Sequence, residues 1–115
     1  MRTKFLVLAL AAALTAALAA TALAATKSVK VGDDWFVRSS GGATVTVKSG
    51  DRLKFRWTGD NQHNVKGRGI SLGKKCRTIR TSGSCRTKRL RKKGTFTLFC
   101  EVHGRSVQSM RLRVR

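Results

Sequence analysis

An all-β fold, an antiparallel sandwich or barrel, is what this sequence predicts, and three observations carry the prediction. Apolar and polar residues alternate with period two in several short segments. Clusters of Gly, Asp, Asn and Ser separate those segments. Beyond the N-terminal region, no stretch shows the 3.6-residue repeat of an amphipathic helix.

The N-terminus is a separate matter. Arg2 and Lys4 precede an uncharged run from Phe5 to Ala25, interrupted only by Thr15 and Thr21. A short basic region, an apolar run and the small-x-small pattern Ala22-Leu23-Ala24 describe a secretory signal. Cleavage is expected before Ala25, so that residues 1–24 are leader and 25–115 are the domain; Ala20-Thr21-Ala22 is a second possible site. The alternative is an uncleaved anchor, since about 20 apolar residues can cross a bilayer. The run is mostly Ala, however, which is weak for a permanent span, so no membrane span is expected after cleavage.

The strands follow in order. Ser28-Val29-Lys30-Val31 alternates, as does Thr44-Val45-Thr46-Val47-Lys48. Leu53, Phe55 and Trp57 share one face of a segment whose other face carries Lys54 and Arg56. Gly94-Thr95-Phe96-Thr97-Leu98-Phe99-Cys100 is rich in β-formers, and Met110 to Arg115 alternates most regularly of all. Gly32-Asp33-Asp34, Ser39-Ser40-Gly41-Gly42, Ser49-Gly50-Asp51 and Thr58-Gly59-Asp60-Asn61 supply the turns.

Residues 66–93 break this pattern. They hold twelve basic residues, no acid, and only Ile70, Leu72, Ile79 and Leu90 as larger apolar side chains. A segment so composed is expected to form a long surface excursion that buries little, with one edge strand near 87–91.

Charge and size narrow the function. The chain has 115 residues and a formal net charge of +20. Without Arg2 and Lys4 it keeps 23 basic residues against five acids, a net +18. That length supports one thin core and excludes large enzymes. The five acids are scattered, with no paired carboxylates and no nucleophile with an evident base, so no catalytic activity is expected.

In an exported chain Cys76 and Cys85, nine positions apart, are expected to form a disulfide. A metal role for that pair is the weaker reading, because no His or third Cys lies near it in sequence. Cys100 is then left over, with His103 three residues later, and His63 is the only other histidine. Singly, a loop His or a buried Cys is unremarkable. Together they are the spare soft ligands of the chain, all at strand ends, and two His plus one Cys is the equatorial set of a blue-copper centre.

Three segments resemble the cupredoxins, specifically their plastocyanin-like branch: Val29 to Phe36, Val45 to Val65 with its His63-Asn64-Val65, and Gly94 to His103 with its Cys-x-x-His. The resemblance covers about residues 28–65 and 94–115. It implies a Greek-key β-sandwich holding one copper ion through His63, Cys100 and His103. It gives Asn64 the role of tying the two ligand loops together near the thiolate, and Phe96 the aromatic position on the Cys strand. The axial Met usual in that family is displaced here. A four-residue gap after His103 puts Gln108 in the axial slot, and so does the inward parity of Met110, Leu112 and Val114; Met110 has the usual chemistry but lies two residues late.

What the resemblance implies is a one-electron carrier cycling between Cu(I) and Cu(II), expected as a monomer; the leader implies export, to the periplasm, the extracellular space or the outer face of the cell membrane. Copper carriage or storage is the alternative in the same chemistry. A second class starts from charge, a basic module that binds an acidic redox protein or an anionic envelope surface. Specific nucleic-acid binding is not expected, because the excursion lacks the aromatic residues that stacking needs. The excursion can also be simply a solvated face.

Overall fold

In a computed structural model that describes residues 23–36 and 43–115, the alternating segments become strands of two sheets. The strands are β1 (Thr26–Val31), β2 (Thr44–Val47), β3 (Arg52–Trp57), β4 (Lys66–Arg68), β5 (Ser84–Arg86), β6 (Gly94–Phe99) and β7 (Ser109–Val114), with a single helical turn α1 (Lys74–Arg77). One sheet has the order β1-β3-β5, the other β2-β7-β6-β4. Of the expected leader, residues 1–24, all but Leu23 and Ala24 lie outside the described residues, and so does the Ser39 to Gly42 turn.

Alternation decides the core. Val29 and Val31 of β1, Leu53, Phe55 and Trp57 of β3, Leu98 of β6 and Met110, Leu112 and Val114 of β7 are buried between the sheets, while Lys30, Arg56, Arg111 and Arg113 on the alternate positions are exposed. Each fully buried large side chain contributes about 1.5–3 kcal/mol relative to exposure. Phe36 meets Phe55 edge-on at 6.4 Å between ring centroids.

The expected all-β sandwich is present, and its ladders are mixed. β3·β5, β4·β6 and β6·β7 are antiparallel, whereas β1·β3 and β2·β7 run parallel. The parallel pairs arise because β2 lies between β1 and β3 in sequence but belongs to the other sheet. The turns at Ser49–Asp51 and Thr58–Asn61 therefore connect strands of opposite sheets.

The excursion departs from its expectation. It supplies β4 to one sheet and β5 to the other, and it buries Leu72, Cys76, Cys85, Thr87 and Leu90. Its edge strand is Ser84–Arg86 rather than a segment near 87–91. The ladder stops there because the Thr87 hydroxyl accepts the Leu53 N–H at 3.0 Å, so a side chain takes the place of the next backbone acceptor. Composition underestimated this segment because two half-cystines and a threonine are buried alongside its two leucines. Cys76 and Cys85 are joined by a disulfide, as expected.

Candidate metal centre

Three loops at one end of the sandwich build the site. His63 follows β3, and its backbone forms an isolated bridge with Arg80: His63 N–H donates to the Arg80 carbonyl at 2.9 Å and the Arg80 N–H returns to the His63 carbonyl at 3.0 Å. The Trp57 indole N–H donates to the same His63 carbonyl at 3.2 Å. The disulfide brackets Arg80, so the excursion holds the backbone of His63 in place, a role its composition does not reveal.

Cys100, His103 and Gln108 share the loop joining β6 to β7. Nested turns shape it. The Gly104 N–H donates to the Cys100 carbonyl at 2.9 Å, the Gln108 N–H to the Gly104 carbonyl at 3.0 Å, and the Cys100 N–H to the Gln108 carbonyl at 3.1 Å. Gly104 has φ +83°, a left-handed conformation that a side chain would strain.

The loops bring the sequence-predicted side chains together. The ligand atoms of His63, Cys100 and His103 lie within 4.8 Å of one another. Cys100 Sγ is 3.8 Å from His63 Nδ1 and 3.6 Å from His103 Nδ1. The imidazole rings are 4.7 Å apart. Cys100 and His63 are fully buried and His103 is half-buried.

The donor set fits a metal ion. Nitrogen and thiolate donors about 2.0 and 2.3 Å from one transition-metal ion, at a trigonal angle, stand about 3.7 Å apart, which matches both Sγ–Nδ1 distances. Gln108 adds a second observation. Its buried Nε2 donates to the carbonyls of Gly32 at 2.9 Å and Trp35 at 3.0 Å, so the remaining amide atom is the oxygen, and Oε1 has no hydrogen-bond partner among the described residues. A buried carbonyl oxygen left unpaired costs about 1–3 kcal/mol, which a cation would offset. Met110 packs in the core beside Leu98 of β6.

Asn64 joins the two ligand loops. Its Oδ1 accepts the Glu101 N–H at 2.9 Å, and its Nδ2 donates to Glu101 Oε2 at 2.8 Å and to the Arg77 carbonyl at 3.1 Å. Glu101 also takes the Lys66 ammonium at 2.7 Å. That ammonium foremost, then Asn64, holds the Glu101 carboxyl below its ordinary range.

One residue escaped the sequence reading. Asp33, placed there in a turn, lies 3.2 Å from His63 Nε2 through Oδ1 and accepts the N–H groups of Asn61 and Asp60, each at 2.9 Å. The Asn61 N–H foremost, then the His63 imidazole and the Asp60 N–H, lower the Asp33 pKa. Gly59 makes room for it, since a Cβ there would overlap the Asp33 carboxylate. Knowing that β1 and β3 pair in parallel, with Val31 beside Trp57, would have placed Asp33 next to the turn after Trp57.

No protein-family model matches this chain, and no curated protein matches it. Solved structures do. Oxidized plastocyanin from Dryopteris crassirhizoma superposes with a TM-score of 0.58 at 21% identity, over 76% of this chain and 99% of that one. The chain has the cupredoxin fold. Amicyanin from Paracoccus versutus gives a TM-score of 0.59 at 19% identity, over 86% of this chain and 88% of that one, and auracyanin B gives 0.56 at 12%, over 84% and 92%. In this cupredoxin sandwich the only buried ionisable cluster of His and Cys among the described residues sits at the loop end of the strands. The basic residues of 66–93 do not form a single face of it: Lys66 and Arg68 lie on β4 of one sheet and Arg86 on β5 of the other.

Proposed function

We propose that this chain is an exported type 1 copper protein that carries single electrons between redox partners. The observation that supports it most directly is the convergence of Cys100 Sγ with His63 Nδ1 and His103 Nδ1 at 3.8 and 3.6 Å. Those atoms would hold the ion, with the unpartnered Gln108 Oε1 as a further, weaker donor. Copper so held supplies a one-electron Cu(II)/Cu(I) couple, since thiolate suits Cu(I) and imidazole suits both states.

The protein's own part is to keep the donors where they are. The Arg80 bridge and the Trp57 indole fix the backbone of His63, Asn64 ties it to the Cys100 loop, and Asp33 sets its imidazole. Such a frame resists rearrangement between oxidation states. His103 is the half-buried edge of the site, with exposed Val102 and Val107 in the same loop, and serves as the route for the electron. We assign residues 1–24 as a signal removed before Ala25, leaving a monomeric 25–115 domain in the periplasm, the extracellular space or on the outer face of the cell membrane. The Cys76–Cys85 disulfide accords with an oxidising compartment. Its strong positive charge favours an acidic redox protein or an anionic envelope surface as partner.

Adding Cu(II) to the purified protein should give an intense visible band that Cys100→Ser abolishes. A band that survives the substitution overturns the assignment. Reversible reduction and reoxidation separate electron carriage from copper storage, for which turnover between states is not required.

A further inference from the structure

The outer face of the β1-β3-β5 sheet is assembled from residues far apart in sequence, and its charge has one sign. β1 contributes Lys30, β3 contributes Arg52, Lys54 and Arg56, and β5 contributes Arg86, all on the face away from the buried Val31, Leu53, Phe55 and Cys85. Register sets like charges side by side: Lys30 is opposite Arg56, and Lys54 is opposite Arg86. Directly opposed like charges destabilise a sheet. Among the described residues none of these five makes an ion pair, and the Lys66–Glu101 ion pair lies elsewhere. The other positions of the face are Thr26, Ser28 and Ser84.

We propose that this face is a docking surface for an extended polyanion bearing phosphate charges. A polyanion would supply the negative charge that the face lacks. Three of the five cations are arginines, whose planar fork matches phosphate oxygens. Across strands the cations repeat at about 4.8 Å, and along a strand at about 6.8 Å, a fixed array suited to a chain of charges. A folded protein partner fits less well, because the face has no aromatic or apolar side chain to anchor a dry interface core. The same lack disfavours base stacking. His103 and Cys100 belong to the loop of β6 and β7 in the other sheet, so a polymer held here leaves that loop open. The protein would thus be retained by one side wall while its metal-binding end stays available to partners. The inference does not depend on the copper reading.

The test is binding of long-chain linear polyphosphate by the purified protein, with and without added copper, across salt concentration. Five contacts predict a log–log salt slope of about −3.5, and so about 100-fold weaker binding at 200 mM than at 50 mM salt, using the slope per contact of a flexible polyanion. Lys54→Gln with Arg56→Gln and Arg86→Gln should lower the slope to about −1.4, with a thermal midpoint equal to or above that of the parent, since two like-charge contacts are relieved. Arg68→Gln with Arg111→Gln and Arg113→Gln removes the same charge from exposed positions of the other sheet and should leave the slope near its parent value. Equal losses in the two triple variants would reduce the effect to net charge and overturn the proposal. Face-dependent binding of a folded acidic protein, with none of polyphosphate, would equally overturn it and assign the surface to a protein. A change in polyphosphate binding leaves the Cys100 absorption band untouched, so the two readings fail separately.

Discussion

Asp33 hydrogen-bonds His63: Oδ1 stands 3.2 Å from Nε2 across 30 positions of sequence. The opposite ring nitrogen, Nδ1, faces Cys100 Sγ. A carboxylate on one nitrogen fixes the tautomer that leaves the other as a lone-pair donor, and it raises the basicity of that donor. The same carboxylate binds the turn after β3 through Asp60 and Asn61, so one side chain sets both the ring and the loop that carries it.

Asp33→Asn should therefore weaken Cu(II) binding about 10–100-fold, the usual cost of losing such a partner, and should raise the reduction potential, because the lost negative charge favoured the more positive ion. Gly59→Ala should act in the same direction by displacing the carboxylate. Titration with copper and voltammetry of both variants check this. An unchanged potential in Asp33→Asn would limit Asp33 to holding the turn.

Gln108→Met should raise the potential and shift the visible spectrum, since a thioether is softer than an amide oxygen and favours Cu(I). It should also cost stability, because the Nε2 bonds to Gly32 and Trp35 are lost at about 1 kcal/mol each. Met110→Leu, a near volume-conserving swap in the core, should cost about 1 kcal/mol or less and leave the spectrum alone. A spectrum that responds only at Met110 would move the axial role there.

Replacing Cys76 and Cys85 together by Ala should destabilise the fold by about 2–3 kcal/mol in the chain-entropy account of so short a loop. The effect should reach the metal, because the bridged segment includes Arg80, the backbone partner of His63. Denaturation midpoints and copper affinity measured together check both. Loss of stability with unchanged affinity would show that the Trp57 and Asn64 bonds suffice to hold His63. Peptide mass spectrometry of the parent should find Cys100 outside any disulfide.

Acid should loosen the base of the sandwich through Asp51. The Ala25 N–H foremost, at 2.8 Å, and the Lys48 N–H lower its pKa from the ordinary 3.8. A depressed carboxylate pKa stabilises the fold above the ordinary value and ceases to do so as pH falls through the folded one. The stability difference between the parent and Asp51→Asn should thus be present at pH 7, at about 1 kcal/mol or less for so exposed a group, and be lost as pH falls below the ordinary 3.8 and through the lowered folded value. In a chain cleaved before Ala25 the donor is an α-ammonium, and the difference should exceed that of a chain retaining Leu23 and Ala24. A difference that persists in strong acid would remove Asp51 from this role.

Local pattern was enough for much of this protein. Period-two alternation placed β1, β2, β3 and β7 and the inward faces of β3 and β7, because side-chain direction in a strand is a property of the strand itself, and a run of β-formers placed β6. Counting the few His and Cys singled out His63, Cys100 and His103, and the parity of Met110, Leu112 and Val114 pointed to Gln108, which is buried with its amide oxygen free of partners among the described residues. What the tertiary structure alone decided is whatever depends on which strands lie side by side. Parallel pairing of β1 with β3 carries Asp33 to His63 and sets Lys30 against Arg56. The fold-back of the basic excursion brings Arg80 to His63 and spreads charges that are one run in sequence over both sheets. Pairing joins residues tens of positions apart through backbone hydrogen bonds that are the same for every side chain, so no local pattern records the partner.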